Sequence, residues 1–189
     1  DTCIKRAGEM IGRKEPGYYI MAVFDVDKFK VINDQHGVAT GDALLKHIAR
    51  VFKNGFEPHG GLCCRISGDI FAVLYPTAFR DTENIQEIRS RASHLEGIVA
   101  PIVFSIGRYV VDDLSIQPSA MIDRAMLAAD SVKSRYDDKI AYYDEAMRAH
   151  IVHEQEVVME MEGALRERQF EVWFQPQANH SAKALIGAE

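Results

Sequence analysis

The stretch CRISGDIFAVLY, from Cys64 to Tyr75, contains two apolar runs separated by the pair Ser67-Gly68, and a single acidic residue, Asp69, follows that pair. A glycine after a small polar residue is typical of a tight turn, and a turn between two apolar runs predicts a β-hairpin. The hairpin places one carboxylate at its tip, where a cation or a polar ligand could be bound.

Strand and helix patterns surround this hairpin. Aromatic and β-branched residues predict a strand over 18–27, and apolar residues at helical spacing predict a helix over 40–56. The other predicted elements are helices over 2–14, 82–97 and 119–136 and strands over 102–111 and 139–144. Because hairpin-joined strands occur together with strands joined through helices, we expect one mixed, largely antiparallel sheet flanked by helices, in the α/β (α+β) class.

Composition narrows the function classes. The chain has 189 residues, is 47% apolar and 26% charged, and carries a formal charge of −6, which disfavours a nucleic-acid partner. No apolar run reaches the roughly 18 residues that a membrane helix needs, so no membrane contact is expected from this segment. Three cysteines without metal-ligand spacing are interpreted as reduced, and the location as cytoplasmic.

The C-terminal part of the chain predicts a long helix and the beginning of another unit. Asp144 is placed to cap a helix whose apolar residues, from Met147 to Leu165, follow a heptad-like spacing. Packing on its own domain is the favoured interpretation of this stripe, and a connecting or dimerising helix is the alternative. The following FEVWFQPQ (170–177) predicts a strand, with Trp173 as a core residue.

A second group of polar residues lies between the first strand and the helix that follows it. Asp25 ends the strand, and Asp69 lies at the tip of the hairpin, so the two carboxylates converge if these strands are neighbours. Mg²⁺ suits such a pair, because it binds one or two carboxylates and fills its other positions with water and phosphate oxygens. On composition alone, an Asp-rich turn is more often a solvated loop.

Two segments resemble the signature segments of the GGDEF domain of diguanylate cyclases. They are FDVDKFKVINDQHGVATGDALLKHIA (24–49) and RISGDIFAVLYP (65–76), in the family's order and at its separation. The resemblance covers roughly residues 1–145 and implies a cyclase/polymerase-palm-like fold, two GTP molecules as substrates and cyclic-di-GMP as product. The stretch 160–189 resembles the opening of an EAL domain, the cyclic-di-GMP phosphodiesterase module.

The resemblance implies domain boundaries and partners. Residues 1–144 match the GGDEF-like domain, 145–168 the connecting helix and 169–189 a truncated EAL domain. The implied ligand is GTP or a related guanine nucleotide with Mg²⁺ or Mn²⁺. The implied partners are the chain's own EAL domain and a second copy in a homodimer.

The resemblance also implies roles for individual residues. Asp25, the Val26 carbonyl and Asp69 match the metal-binding positions. Asn33 and Asp42 match the pair that reads guanine. The remaining nucleotide-contacting positions are Phe29, Lys30, Ser67 and Gly68, and in the EAL-like part Gln175 matches a substrate contact and Glu189 the first metal ligand.

The signature departs from the family pattern at positions that carry chemistry. Ile70 replaces an acid that serves the metal and activates the attacking hydroxyl, so no catalytic residue set is intact. Ser67 replaces a glycine, and Val38 replaces a histidine. Asp130 and Ser134 stand where a phosphate-binding lysine and arginine are expected, although Lys133 and Arg135 lie close by. EPHGG (57–61) lacks the Arg/Asp pair of the family's inhibitory site.

These losses leave three hypotheses open. The chain is a cyclase-impaired domain that binds GTP and regulates an adjoining EAL domain, a weakly active diguanylate cyclase, or a nucleotide-free dimerisation scaffold. A purely structural interpretation of the guanine pair also exists, since Asn33-Asp34 can close a turn and Asp42 can cap a helix after Gly41.

Overall fold

A computed structural model of the chain describes residues 2–80, 83–97, 102–135, 139–179, 181 and 183–188. The chain divides into two compact units, Asp1–Arg148 and Ala149–Glu189. In the described ranges no helix is long and apolar enough to cross a bilayer.

Over the described residues before Glu145, the first unit forms one five-stranded sheet and five α-helices. Its elements are α1 (Thr2–Ile11), β1 (Tyr19–Val26), α2 (Phe29–His36), α3 (Val38–Phe56), β2 (Leu62–Ser67), β3 (Ile70–Pro76), α4 (Glu83–Ala92), β4 (Phe104–Val110), α5 (Pro118–Asp130) and β5 (Ile140–Tyr142). The strand order is β2-β3-β1-β4-β5, antiparallel except for the parallel pair β4 and β5. The expected mixed, largely antiparallel sheet with flanking helices is confirmed.

Strand β1 is buried along its whole length, and its side chains alternate between two cores. Ile20, Ala22 and Phe24 face a core that includes residues of α3 and α4. Met21 and Val23 face a core that includes residues of α1 and α5. This alternation follows from the two-residue period of a strand, and it explains why the segment reads as a continuous apolar run rather than as polar and apolar in turn.

Aromatic rings fill the core between the sheet and α3. The Phe24 ring lies 4.7 Å from the ring of Phe52 and 6.1 Å from that of Phe104, measured between centroids. Each of these three side chains is almost completely buried, and burying a phenylalanine contributes about 1.5–3 kcal/mol. Packing of α3 against the sheet therefore fixes the end of β1, where Asp25 lies.

Helix α5 crosses the opposite face of the sheet at a glycine. A Cβ atom at Gly107 of β4 would lie only 1.8 Å from the carbonyl oxygen of Ala125 and 2.3 Å from the backbone nitrogen of Ala129. Only glycine permits this approach of helix and strand backbones. The close contact sets the position of the C-terminal end of α5 above the sheet.

The second unit begins within α6 (Glu145–Arg166), which is followed by an antiparallel pair, β6 (Pro176–Asn179) and β7 (Ala184–Ala188). The predicted cap is confirmed, because Asp144 accepts a hydrogen bond of 3.0 Å from the backbone N–H of Met147. No residue of α6 is buried, so its apolar stripe belongs to neither core.

The predicted strand over 170–177 is wrong for most of its length. Residues 170–175 form no regular structure, and β6 begins only at Pro176. Trp173 is 84% exposed and is therefore not a core residue as expected. Residues 170–175 do not join the β6–β7 pair that follows them.

The interpretation of all three cysteines as reduced is also wrong. Cys3 of α1 and Cys64 of β2 form a disulfide with their Cα atoms 6.4 Å apart. Sequence spacing gave no sign of it, because the two positions are 61 apart in the sequence and only the packing of α1 on the sheet brings them together. Burial, followed by the nearby Glu57 carboxylate, raises the pKa of the remaining thiol, Cys63, to about 12, so that thiol is protonated at neutral pH.

Loss of the disulfide is expected to destabilise the first unit. Closing a loop of 61 residues restricts the unfolded chain by about 4 kcal/mol, so Cys3→Ser lowers the free energy of unfolding of the oxidised protein by up to that amount. Urea unfolding with and without dithiothreitol measures it. The two proteins become equally stable on reduction, and Cys63→Ser, which keeps the bridge, retains the response to reductant. A difference between Cys3→Ser and the native chain that persists unchanged after reduction would contradict this assignment.

Candidate functional site at the acidic edge of the sheet

Asp25 and Asp69 lie together at one edge of the sheet, as expected from the strand order. Asp25 is the second-to-last residue of β1 and pairs with Ile70 of β3. Asp69 is the residue immediately before Ile70, so it lies next to Asp25 at this edge. The backbone N–H of Val26 donates to the carbonyl oxygen of Asp69 at 3.3 Å. Asp25 is 6% exposed, so its carboxylate is held away from bulk water.

A lysine that sequence reasoning left without a role compensates the Asp25 charge. The Lys133 ammonium lies 2.7 Å from Oδ2 of Asp25 and 2.9 Å from Oδ1 of Asp130. The predicted helix over 119–136 ends earlier than expected, at Asp130, and Lys133 lies in the turn that follows. The early end of α5 allows the lysine to turn back toward the sheet.

A second lysine fixes this turn. Lys139 binds Oδ2 of Asp27 at 2.6 Å and also donates to the backbone carbonyl of Lys133 at 2.7 Å. The other oxygen of Asp27 accepts a hydrogen bond of 2.6 Å from the hydroxyl of Ser105. Asp27 therefore has a structural role, and it links the end of β1 to the turn that carries Lys133.

The charges at this edge shift the protonation of two groups in predictable directions. The pKa of the Asp69 carboxyl is raised, mainly by partial burial and to a smaller extent by the nearby Asp25 charge. A hydrogen bond from its own backbone N–H and the charges of Lys133 and Arg65 lower this pKa but do not cancel the effect of burial. Burial lowers the pKa of Lys133, but hydrogen bonds and charge attraction from Asp25 and Asp130 outweigh burial, so the pKa ends above its ordinary value. Lys133 is therefore a permanent cation at neutral pH.

The altered signature folds as a hairpin tip. Ser67 ends β2 in extended conformation, and the left-handed conformation is taken by Gly68, with φ of 48°. Ser67 itself does not need a positive φ, so its side chain causes no backbone strain at this position. Ile70 is half-buried and packs against the core between the sheet and α1 and α5, where it contributes apolar contact but no metal ligand.

The residues present do not form a fitting site for Mg²⁺. Among the described residues no group of three His, Cys, Asp or Glu side chains is arranged to hold a metal ion. Asp25 already binds the Lys133 ammonium. The position where the family pattern has its next acid is occupied here by Ile70. The metal roles of Asp25, Val26 and Asp69 stay a prediction, and a divalent ion at Asp25 requires displacement of Lys133.

The two residues of the predicted guanine pair are close to each other. Asn33 lies on α2, and its Oδ1 faces Gly41 of α3 so closely that a Cβ atom on Gly41 would lie 1.8 Å from it. Asp42, the next residue, is exposed. Oδ1 of Asn33 is buried and has no hydrogen-bond partner among the described residues, so Nδ2 is the atom of this amide that is available to a ligand.

The turn and cap roles considered for this pair are wrong. Asn33 does not close a turn, because it lies inside α2 (Phe29–His36). Asp42 does not cap a helix, because α3 begins at Val38 and Gly37 precedes it. Neither residue therefore has the local backbone role that would explain its presence.

The remaining predicted site residues have simpler surroundings. Phe29 packs against the core between the sheet and α3, and its ring also lies near Gly41. Lys30 is exposed one residue further along α2. Their roles along the phosphates stay predictions. In the second unit Gln175 is exposed, and Glu189 lies outside the described residues.

Comparisons with known proteins agree on the first unit. The family model "Diguanylate cyclase, GGDEF domain" matches residues 4–139. The biofilm architecture maintenance protein MbaA of Vibrio cholerae is 28% identical over 187 residues, which cover 87% of this chain and 22% of that protein. The probable diguanylate cyclase DgcE of Escherichia coli is 26% identical over 150 residues, 76% of this chain and 13% of that protein. The chain thus spans less than a quarter of the length of either relative.

The fold is shared with solved GGDEF domains. The GGDEF domain of DgcB from Caulobacter crescentus, solved in complex with c-di-GMP, superposes with a TM-score of 0.59 at 24% identity, over 75% of this chain and 86% of that chain. The active GGEEF domain of a diguanylate cyclase from Vibrio cholerae gives a TM-score of 0.58 at 23% identity, over 76% and 90%. Because the family model matches well over half of the chain, the protein belongs to the family of diguanylate cyclase GGDEF domains.

Proposed function

We propose that this GGDEF domain binds a guanine nucleotide without cyclising it efficiently and that the bound state regulates an adjoining EAL phosphodiesterase domain in cyclic-di-GMP signalling. A cytoplasmic location and a homodimer belong to the same proposal. The observation that carries it is the guanine pair, which persists without a local structural role beside a site that lacks its catalytic acid.

The chemistry of the pair suits guanine. The Asp42 carboxylate is exposed and can accept hydrogen bonds from both N–H groups on the guanine edge. The Asn33 amide can donate through Nδ2 to a ring nitrogen, because Oδ1 is turned toward Gly41. Adenine offers a different arrangement of donors and acceptors, so the pair favours GTP over ATP.

The chemistry of the neighbouring edge does not suit efficient cyclisation. Activation of the attacking 3′-hydroxyl needs a group that accepts a proton, and the isoleucine beside Asp25 and Asp69 cannot do so. Asp130 adds negative charge at the position where the family resemblance implies a phosphate-binding lysine. Both changes disfavour turnover more than they disfavour binding of the base.

A route for regulation runs along α5. Its C-terminal end carries Asp130, which contacts Lys133, and its middle carries Arg124. Arg124 pairs with Glu145 at the start of α6 at 3.4 Å, and its guanidinium also lies over the rings of Tyr109 and Tyr143. A nucleotide that favours one position of α5 would therefore bias the first turn of the connecting helix.

Replacing the guanine-reading carboxylate is expected to weaken GTP binding. In Asp42→Asn the amide no longer accepts from both guanine N–H groups, and loss of a charged hydrogen bond costs about 1.5–3 kcal/mol, or roughly a tenfold to hundredfold rise in Kd. Calorimetry with GTP and ATP measures it, and the preference for GTP should fall as well. Asp34→Asn, an exposed acid on α2, is the matched control. Undetectable binding of millimolar GTP to the native chain would refute the proposed function.

Moving Asn33 without replacing it provides an independent test. Gly41→Ala places a methyl group against Oδ1 of Asn33, and the amide must rotate away while the backbone of α3 is preserved. We expect weaker GTP binding, by about tenfold for one lost hydrogen bond, with helix content unchanged by circular dichroism. Gly163→Ala, at a helical glycine with open space around it, is the control for the substitution. Equal affinity in both variants would remove Asn33 from the site.

Product analysis distinguishes the proposal from a weak cyclase. The absence of an acid at position 70 predicts cyclic-di-GMP formation about 10²–10⁴ times slower than with a general base in place. Long incubation with GTP and a divalent ion, followed by chromatography, measures the product. Asp69→Ala should abolish any trace of it. Rapid synthesis by the native chain would show that the cyclase is active.

A further inference from the structure

The ammonium group of Lys133 occupies the position next to Asp25 that a divalent cation would need. It lies 2.7 Å from Oδ2 of Asp25, a distance typical of a charge-assisted hydrogen bond. The Asp25 side chain is only 9% exposed, whereas that of Lys133 is 45% exposed. A buried carboxylate needs a compensating cation, and here the chain itself supplies one.

Three features hold Lys133 in place. Asp130, the last residue of α5, binds the same ammonium group at 2.9 Å. Lys139 donates to the backbone carbonyl of Lys133 and is itself bound by Asp27. The close contact of α5 with Gly107 sets where the helix ends and where the turn begins. The lysine is therefore positioned by the fold and is not a surface side chain that happens to approach an acid.

We propose that Lys133 is an intramolecular cation that takes the place of a divalent metal at Asp25 and excludes Mg²⁺ from the acidic edge in the absence of nucleotide. The negative charges to be compensated at this edge are those of Asp25, Asp69 and Asp130, with Ile70 contributing none. Metal binding at Asp25 must displace the ammonium from two carboxylates. Exclusion goes beyond the proposed function, because it concerns the empty domain and does not require that GTP binds.

The exclusion makes Lys133 a residue that determines ligand specificity. Removing its positive charge takes the ion-pair partner from Asp25 and Asp130, and a divalent ion then restores the balance. Coulomb attraction between charges about 4 Å apart near a protein surface is strong enough to change the affinity for a divalent ion by about tenfold or more. The native domain should therefore bind Mn²⁺ at this edge at least about tenfold more weakly than a variant without the lysine.

Titration with Mn²⁺ in the absence of nucleotide tests the proposal on the full chain. Electron paramagnetic resonance reports free Mn²⁺, so bound metal is measured as loss of that signal. Lys133→Met, which keeps the length of the side chain, is expected to gain one Mn²⁺ site. Lys133→Arg, which keeps the charge, should behave as the native chain does. Lys46→Met, which removes an exposed charge from α3, is the control for net charge.

The site gained must depend on Asp25. In the double variant Lys133→Met, Asp25→Asn the additional Mn²⁺ site should disappear, and circular dichroism and thermal unfolding establish that both variants are folded. The proposal is overturned if the native chain binds Mn²⁺ as tightly as Lys133→Met, or if the folded Lys133→Met gains no site. If Lys133→Met does not fold, the native chain and Lys133→Arg decide the question, since tight Mn²⁺ binding by either contradicts exclusion. Because no nucleotide is present, a failure of GTP binding would leave this result unaffected.

Discussion

A carboxylate buried at the end of a central strand is the constraint on which the rest of this site depends. Asp25 cannot keep its charge in that position without a cation beside it, because the surrounding strands and helices exclude most of the water that would otherwise solvate it. The early end of α5, the turn that carries Lys133 and the second acid-lysine pair at Asp27 and Lys139 together satisfy this requirement. The acidic edge is thus stabilised as a network of ion pairs.

The sheet determines which residues meet, and the sequence patterns predicted most of it. The aromatic and β-branched run over 18–27 could be recognised as a buried strand because it is apolar on both faces, and the hairpin could be recognised from its turn. Together with the resemblance, these patterns placed Asp25 and Asp69 at one edge. Local pattern succeeds here because strand period and turn chemistry are properties of adjacent residues.

Features that depend on distant parts of the chain were not predictable in the same way. The Cys3–Cys64 disulfide follows from the docking of α1 on β2, and the role of Lys133 follows from where α5 ends. The three-residue spacing of Asp130 and Lys133 was a usable signal for an ion pair, but it gave no indication that Asp25 completes it. Trp173 was assigned to a core because strand propensity was counted in a segment that does not join the sheet following it.

Isoleucine at position 70 changes the charge balance of the acidic edge without changing the fold of the hairpin. An acid beside Asp25 and Asp69 would add a further negative charge to a partly buried edge, which destabilises the folded state unless a cation is bound. Isoleucine removes that repulsion and adds apolar contact with the core that includes α1 and α5. The predicted guanine pair differs from such an acid, because the Asp42 carboxylate is exposed and the Asn33 amide is uncharged. Asn33 nevertheless keeps a buried amide oxygen without a hydrogen-bond partner among the described residues, and a buried polar atom of this kind costs stability. A role in ligand binding would account for that cost.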